Sequence, residues 1–173
     1  MKKIVITGGI GYIGTEICKI YSGESWNNQI TIIDNRFISE RVSQLRKWNM
    51  NFVYADIRKI DEVKKYLNEA DIVHHLAGIT DVPRTELELN EEKDKELRDI
   101  AEKGTEVVLS ETSQNCKIIF PSTHVVYEGI TEVKKNIKED EAVNPVLSYS
   151  SSKAVNEQQL KKSGKNYIIL RLG

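Results

Sequence analysis

Cysteine and proline are scarce in this chain, and it has neither long apolar runs nor an excess of one charge. Its 173 residues include two cysteines, Cys18 and Cys116, so a disulfide framework is excluded and a reducing compartment is expected. Lysine plus arginine number 25 and aspartate plus glutamate 26, a balance that gives no reason to expect nucleic acid or an anionic membrane as partner. No apolar run approaches the roughly 20 residues of a membrane helix. Gly8 and Gly9 interrupt the first apolar run too early for a signal peptide, so we expect a cytoplasmic protein.

The chain alternates short β-branched runs with segments of helical spacing. The runs at 4–6, 30–33, 52–54, 72–73, 118–120 and 167–170 are typical of strands buried on both faces. The segments between them carry apolar residues at helical spacing, namely Ile13, Ile17 and Ile20; Ile60, Val63 and Leu67; and Leu97, Ile100, Ala101, Val107 and Val108 of a long helix over 91–112. The charge-dense stretch from 86 to 103 is interpreted as a solvated helix face rather than a functional acidic patch. This alternation predicts one α/β domain over 1–173, a doubly wound parallel sheet of six strands in the order 3-2-1-4-5-6.

A glycine-rich turn follows the first predicted strand. Gly8, Gly11 and Gly14 have the spacing G-x-x-G-x-x-G between a strand and an amphipathic helix, which is the context of a dinucleotide-binding turn. Gly8 permits the tight turn, Gly11 the close approach of a pyrophosphate, and Gly14 the packing of the helix on the sheet. The helix N-terminus that follows would face the phosphates.

The acidic residue that a ribose requires is expected at the end of the second strand. Asp34 lies there, twenty residues after Gly14, and its carboxylate would accept hydrogen bonds from an adenosine ribose and repel a 2′-phosphate. NAD is therefore favoured over NADP, although the neighbouring Arg36 could receive that phosphate. The alternative is that Asp34 forms the Asp34-Asn35 turn.

Tyr149 and Lys153 lie four residues apart, so on a helix they share one face. A cation beside a phenol favours the phenolate and is expected to lower the pKa of Tyr149, which suits a general base. The alternative is an exposed tyrosine packed along a lysine stem. Two further hydroxyl groups, those of Ser122 and Thr123, lie at the end of the fifth strand. Thr123 is expected to bind a reacting oxygen, although Ser122 is close enough to take the same role. The alternative is that both hydroxyls only cap the end of the strand.

The adjacent histidines at the end of the fourth strand are expected to be structural. Side chains alternate along a strand, so His74 and His75 should point to opposite faces of the sheet. No cluster of cysteines or carboxylates stands near them in the sequence, so a metal site is not predicted.

In this order, the motifs resemble the extended short-chain dehydrogenase/reductase superfamily, and most closely its nucleotide-sugar epimerase/dehydratase branch, which includes the UDP-glucose 4-epimerases. The resemblance covers the whole chain and implies a Rossmann-type domain that binds NAD. The cofactor-binding positions that it implies are Gly8, Gly11, Tyr12, Ile13, Asp34, Asn35, Asp56, Ile57, Leu76, Ala77, Gly78 and Lys153. The catalytic residues that it implies are Thr123, Tyr149 and Lys153, with Glu157 at the usual spacing.

The resemblance also implies a mechanism. Tyr149, as phenolate, would take a proton from a sugar hydroxyl, at C4 in the leading hypothesis, while the attached hydrogen leaves as hydride to NAD. Lys153 would hold the nicotinamide ribose and Thr123 the same sugar oxygen. We therefore expect an epimerase that acts on a nucleotide sugar. The alternatives are an NAD(P)-dependent sugar or ketone reductase with net hydride transfer, and a dinucleotide-sensing protein without catalysis.

The sequence departs from the family pattern at several positions. His124 and Val125 stand where 4,6-dehydratases have an Asp-Glu pair, which disfavours dehydration, and Glu128 stands where the family usually has glycine. Family members run to about twice the ~150 residues of one domain, so we expect the given chain to lack a C-terminal substrate domain. The family commonly dimerises through two helices, here 91–112 and 149–163.

Overall fold

Six strands form one parallel sheet in the computed structural model, which describes residues 1–23, 28–80 and 91–173. They are β1 (Lys3–Thr7), β2 (Gln29–Asp34), β3 (Asn51–Tyr54), β4 (Ile72–His75), β5 (Lys117–Thr123) and β6 (Asn166–Leu172). Their order across the sheet is β3-β2-β1-β4-β5-β6, so the predicted order is confirmed. The connection between β3 and β4 crosses back over the sheet, and the direction of winding therefore reverses between β1 and β4, where ligands of such sheets bind.

Five α-helices connect the strands within the described residues. They are α1 (Tyr12–Gly23), α2 (Ser39–Lys47), α3 (Ile60–Asn68), α4 (Glu91–Glu111) and α5 (Ser148–Lys162), and a 3-10 turn (His124–Tyr127) follows β5. The helices predicted over 91–112 and 149–163 are thus confirmed to within one residue at each end. Part of the predicted charged stretch, residues 86–90, lies outside the described residues. None of the described helices is both long enough and apolar enough to span a membrane.

Two apolar cores lie on opposite faces of the sheet. Val5, Val73 and Phe120 face one core, which α3, α4 and α5 cover. Ile4 and Ile6 face the other, which α1 and α2 cover. The alternation along β1 follows from the two-residue repeat of a strand, and the central strands are consequently buried on both faces, as predicted.

The expectation of two-sided burial is wrong for β3 and β6. These are the edge strands, and residues of β6 alternate between exposed and half-buried, with Ile168, Leu170 and Leu172 on the more exposed face. Periodicity within a β-branched run does not report how many helices cover the strand, so it could not identify these edges.

The predicted buried face of α1 is also partly wrong. Ile13 and Ile20 are 42% and 61% exposed, whereas Gly14 and Cys18 are buried and Ile17 packs partly against the core. The cause is the close contact at Gly14, where a Cβ would lie only 2.5 Å from the Cα of Gly9. That contact turns positions 14 and 18 towards the sheet. Ile60, the first residue of α3, is likewise 45% exposed.

Candidate active site

All fourteen residues named from the sequence as cofactor-binding or catalytic line one cleft. The cleft has a volume of about 820 Å³ and is lined by the carboxyl-end loops of the sheet, the start of α1 and one side of α5. The fourteen residues are Gly8, Gly11, Tyr12, Ile13, Asp34, Asn35, Asp56, Ile57, Leu76, Ala77, Gly78, Thr123, Tyr149 and Lys153. The structure therefore brings the glycine turn and the Tyr149–Lys153 pair to the same cavity, although they are more than a hundred residues apart in sequence.

The glycine turn is shaped by close backbone contacts. Gly8 has φ +68°, a conformation that favours glycine. A Cβ at Gly8 would also lie 2.8 Å from the backbone nitrogen of Ala77, so the loop after β4 leaves no room for a side chain at this position. The Gly8 N–H donates to the carbonyl of Ile33, and the Gly11 N–H donates to the carbonyl of Gly8. The turn is thus held by β2 as well as by β1, while Tyr12 begins the helix on the cleft side with its side chain 84% exposed.

Asp34 is buried at the end of β2 and joins the glycine turn to the following loop. One carboxylate oxygen, Oδ2, accepts the N–H of Ile10 at 3.3 Å. The other, Oδ1, accepts the backbone N–H of Arg36 at 3.0 Å and its Nε at 3.3 Å. The turn-forming alternative for Asp34 is therefore present in the structure, and the residue also lines the cleft.

Asp56 and Ile57 follow β3, and contacts with residues of α4 hold them in place. The Arg58 guanidinium donates to both carboxylate oxygens of Asp56 and reaches Asp99 of α4 at 2.6 Å. The hydrogen bond from Arg58 holds the pKa of Asp56 below its usual range, against the opposing effect of burial. Ile57 packs against Gly104 of α4, and a Cβ added at Gly104 would lie 2.8 Å from the Cγ2 of Ile57. Sequence reasoning missed Arg58 and Asp99, because 41 residues separate the two.

The two histidines point to opposite faces of the sheet, as predicted. His74 Nε2 lies 2.9 Å from the hydroxyl of Tyr21 on α1. His75 is buried on the other side, with Nδ1 2.9 Å from Thr7 Oγ1 and Nε2 2.9 Å from Thr105 Oγ1 on α4. Burial, with a smaller effect of the charge on Lys153, lowers the pKa of His75 to about 3.

The His75 contacts extend to the cofactor loop. The Thr7 hydroxyl that meets His75 also accepts the N–H of Ala77 at 3.2 Å. A line of hydrogen bonds thus connects β1, β4 and α4 directly beneath the cleft. Within the described residues, no group of three or more histidines, cysteines or carboxylates is placed to hold a metal ion.

Lys153 points down into the floor of the cleft. Its Nζ donates to the carbonyl of Pro121 at 3.0 Å and lies 4.6 Å from the centroid of the Phe120 ring and 5.8 Å from that of Tyr149. Both distances to the rings fall within the range of a cation–π interaction. Burial lowers the pKa of Lys153 to about 8, because an ammonium group is poorly solvated there.

The expected lowering of the Tyr149 pKa is wrong for this structure. Burial raises the pKa of the phenol above its ordinary value of 10.0. The physical reason is that Lys153 directs its Nζ to the Pro121 carbonyl and the Phe120 ring, whereas the half-buried phenol loses contact with water. The four-residue spacing correctly places both side chains on one face of α5, where both line the cleft.

The two adjacent hydroxyls at the end of β5 have different partners. Ser122 donates to Glu157 Oε1 at 2.6 Å and is buried in that contact. Thr123 accepts the N–H of Val125 at 3.2 Å, so it caps the 3-10 turn, and it also lines the cleft. A hydroxyl that accepts one bond keeps its own proton to donate. The contacts therefore favour Thr123 over Ser122 as the group that meets a ligand.

Beneath Ser122 lies a buried ion pair that the sequence analysis did not identify. Arg171 of β6 donates through Nε to Glu157 Oε1 at 2.9 Å and through a terminal nitrogen to Oε2 at 2.6 Å. The same guanidinium also donates to the Tyr127 hydroxyl. Glu157 and Arg171 are 14 residues apart on different elements. The sequence signal for the pair is the two-residue alternation of β6, which places Arg171 on the inward face of that strand.

His124 has a structural contact rather than a place in the cleft. Its exposed ring donates through Nδ1 to the carbonyl of Leu172 at 3.1 Å. The cleft lining passes from Thr123 to Tyr149 without it. The residues that replace the dehydratase acid–base pair thus supply no second titratable group to the site.

Comparison with known proteins places this cleft in context. The model of the 3-beta hydroxysteroid dehydrogenase/isomerase family matches residues 5–169. The chain is 29% identical over 171 residues to the UDP-glucose 4-epimerase of Mycoplasma genitalium, covering 95% of this chain and 48% of that protein. The chain therefore spans about half the length of this curated relative.

Two solved structures resemble the whole described sheet. The UDP-N-acetylglucosamine 4-epimerase from Methanobrevibacter ruminantium M1, in complex with UDP-N-acetylmuramic acid, has a TM-score of 0.78 and 29% identity, over 98% of this chain and 54% of that one. The UDP-glucose 4-epimerase from Brucella ovis, in complex with NAD, has a TM-score of 0.80 at 23% identity, over 99% of this chain and 51% of that one. Because the Brucella ovis structure is only 23% identical to this chain, its similarity establishes a shared fold and no more.

Proposed function

Because the chain belongs to the 3-beta hydroxysteroid dehydrogenase/isomerase family, and so to the extended short-chain dehydrogenase/reductases recognised in its motifs, we propose that residues 1–173 are the NAD-binding domain of a nucleotide-sugar 4-epimerase. One observation carries this proposal: a single cleft is lined both by the glycine turn and by Thr123, Tyr149 and Lys153. The 4-epimerases of nucleotide sugars among its relatives support the substrate class.

The cleft fits a dinucleotide in size and in lining. Its volume of about 820 Å³ lies within the range of cofactor pockets. Gly11 presents bare backbone to the cleft, and the start of α1 offers N–H groups and a dipole to a pyrophosphate. Asp34 and Asp56 would meet the adenosine end, while Ala77, Gly78 and Lys153 would meet the nicotinamide end. The carboxylate of Asp34 at the end of β2, which would repel a 2′-phosphate, supports NAD as the dinucleotide.

The reaction divides between the cofactor and the chain. NAD, held by the glycine turn and by Ala77, Gly78 and Lys153, would supply the reversible hydride chemistry at the sugar carbon. Tyr149, once ionised to the phenolate, takes the proton of the C4 hydroxyl as the C–H electron pair leaves, and gives it back when the keto sugar is reduced. Thr123 donates to the same oxygen. Lys153, still largely protonated at pH 7 with a pKa of about 8, supplies the positive charge that a phenolate on Tyr149 requires.

Turnover of nucleotide sugars by the full protein tests the proposal. UDP-glucose and UDP-N-acetylglucosamine are each incubated without added reductant, and their C4 epimers are separated by chromatography. Tyr149→Phe should lose turnover by at least about 100-fold while retaining NAD binding by calorimetry. Tyr54→Phe, on an exposed side chain of β3 outside the cleft, is the matched control and should be unchanged. Full activity in Tyr149→Phe would refute the mechanism.

Two alternatives give different results in the same assay. A sugar or ketone reductase, favoured by the dehydrogenase name of the matching family, consumes dinucleotide stoichiometrically, whereas an epimerase regenerates it. A dinucleotide sensor binds NAD without turnover of any sugar. The catalytic-type lining of the cleft by Thr123, Tyr149 and Lys153 supports an enzyme over a sensor.

The proposal includes a homodimer through α4 and α5. These helices lie side by side, joined by hydrogen bonds from Asn156 to the Ala101 carbonyl and from Gln159 to the Glu102 carbonyl. They therefore form one continuous surface that a second copy could cover. Sedimentation of the full protein tests this, and a monomer at micromolar concentration would refute it.

A further inference from the structure

Glu128 makes an unusual set of contacts at the start of the helix that carries Tyr149 and Lys153. A single oxygen, Oε1, accepts the N–H of Val146 at 2.7 Å and the N–H of Leu147 at 2.7 Å. The same oxygen also accepts the hydroxyl proton of Ser150. Three donors thus converge on one atom of a residue that lies 18 to 22 positions earlier in the chain.

The first turn of α5 lacks both a capping side chain and an acidic residue of its own. Its N-cap residue is Leu147, which makes no side-chain cap bond, and the first turn contains no acidic residue. Helix N-termini expose unpaired N–H groups and a partial positive charge, which a carboxylate stabilises. Glu128 holds the two residues that lead into the helix through their N–H groups, binds the Ser150 hydroxyl within the first turn, and places a negative charge at this end of α5.

Glu128 is itself held at the neck of a loop. The next residue, Gly129, donates its N–H to the Asn144 carbonyl at 2.8 Å and accepts the Asn144 side-chain amide at 2.7 Å. A Cβ at Gly129 would lie 2.6 Å from the Asn144 carbonyl oxygen, so the two chain segments that form the base of the loop are in direct contact. The carboxylate therefore extends from an anchored backbone towards the helix.

The opposite side of the same helix turn is fixed to α4. The Ser148 hydroxyl donates to Asp94 at 2.6 Å and accepts from Arg98 at 3.1 Å. Tyr149 lies between Ser148, which α4 holds, and Ser150, which Glu128 holds. The backbone that carries the phenol is consequently restrained on both sides.

We propose that Glu128 is a positioning residue that fixes the first turn of α5 and thereby sets Tyr149, and one turn later Lys153, in the cleft. The superfamily resembled by the sequence usually has glycine at this position, which has no carboxylate to offer. The role of Tyr149 rests on the proposed function, whereas the restraint of the helix turn does not.

The variants are chosen so that charge and contact can be separated. Glu128→Ala removes all three bonds, whereas Glu128→Gln keeps an amide oxygen that can accept them and removes only the charge. Glu132→Gln removes a carboxylate from an exposed position of the same loop and is the matched control. In the full protein, Glu128→Ala should lower kcat by about 10- to 100-fold with little change in KM, because small misplacement of a reacting group has effects of this size. Glu128→Gln should stay within about 3-fold of wild type, since the positioning bonds persist.

Two readouts do not depend on turnover. Amide hydrogen exchange over 146–150 should be faster in Glu128→Ala and unchanged in Glu128→Gln and Glu132→Gln. The phenol of Tyr149, followed as the ultraviolet titration difference from the matching Tyr149→Phe protein, should titrate at lower pH in Glu128→Ala, because a loosened turn admits water to a side chain whose burial raises its pKa. A protein in which Glu128 is only a surface residue would show neither change.

The outcomes distinguish this inference from the proposed function. If wild type turns over no nucleotide sugar but Glu128→Ala alters exchange and the Tyr149 titration, the function fails and the positioning role stands. If wild type is active and Glu128→Ala matches it in kcat, exchange and titration, the positioning role is overturned and the function stands. Should Glu128→Ala fail to fold, Glu128→Asp, whose carboxylate is drawn back by one methylene, must show the same shifts, and wild-type behaviour in it overturns the inference.

Discussion

Burial of Lys153 should make this protein more stable as the pH rises through the range between its folded and unfolded pKa values. Burial lowers the pKa of the folded ammonium from an ordinary value of 10.5 to about 8. Below pH 8 both the folded and the unfolded chain carry the proton, and the folded state bears the whole cost of the buried charge. Between pH 8 and 10.5 the unfolded chain binds more protons, so the free energy of unfolding rises with pH.

The size of the effect follows from the pKa values. A fall from 10.5 to about 8 corresponds to a cost of about 3 kcal/mol at pH 7, of which about 2 kcal/mol is relieved by pH 9.5. Lys153→Met removes this cost of burying the charge. The variant also loses the 3.0 Å hydrogen bond to the Pro121 carbonyl, which lowers its stability by about 1–3 kcal/mol at every pH. The variant's stability relative to wild type should therefore fall by about 2 kcal/mol between pH 7 and pH 9.5.

Urea unfolding without added dinucleotide measures this difference at each pH. Groups that titrate in both proteins cancel when the two free energies of unfolding are subtracted. Lys162→Met, an exposed lysine of the same helix, is the control and should give a difference that does not vary with pH. A Lys153→Met difference that is equally flat would refute the claim that the folded protein holds a destabilised ammonium in its cleft.

Three further predictions concern the framework of the site. Gly14→Ala places a Cβ 2.5 Å from the Gly9 Cα, and calorimetric melting should show a loss of about 1–3 kcal/mol. Arg171→Met leaves the buried carboxylate of Glu157 without its two guanidinium bonds, and urea unfolding should show a loss of about 3–5 kcal/mol. His75, with a pKa lowered to about 3, stays neutral in the folded chain while the unfolded chain binds a proton below pH 6.5. Wild type should therefore lose about 2 kcal/mol between pH 7 and pH 5 that His75→Gln does not lose.

Each of these has a control in the same chain. Gly78→Ala adds a Cβ with no atom within 4 Å and should melt like wild type. The double variant Glu157→Gln with Arg171→Met should be more stable than Arg171→Met alone, because in the single variant the buried carboxylate keeps only the Ser122 bond and the longer Lys161 contact at 3.5 Å. His124→Gln, on an exposed ring, should leave the acid sensitivity in place. Equal loss in the single and double arginine variants would contradict the assignment of the loss to a stranded carboxylate.

The local features of the fold were open to prediction from the sequence. Short β-branched runs and segments of helical spacing identify strands and helices because they reflect how each element meets a core. The glycine turn was equally accessible, since Gly8 requires φ above zero and Gly14 requires contact with Gly9. The glycine turn, Asp34 and Thr123 could be placed at one cleft because the carboxyl ends of parallel strands meet at one edge of a sheet. The resemblance to the superfamily implied the remaining cleft residues after β3 and β4.

What the sequence by itself determined, then, is the set of strands and helices and the glycine turn, which depend on short-range spacing, and, through the fold class and the resemblance that these patterns indicate, the strand order and the residues of the cleft. The tertiary structure decided which of these groups are buried and what they contact. Ser122 turned to Glu157, Lys153 turned to Pro121 rather than to the phenol, and Glu128 reached Ser150 of α5, 22 residues ahead. Contacts between distant segments, and the solvation that sets the pKa of Tyr149, depend on how complete elements pack against each other, and no local pattern records that.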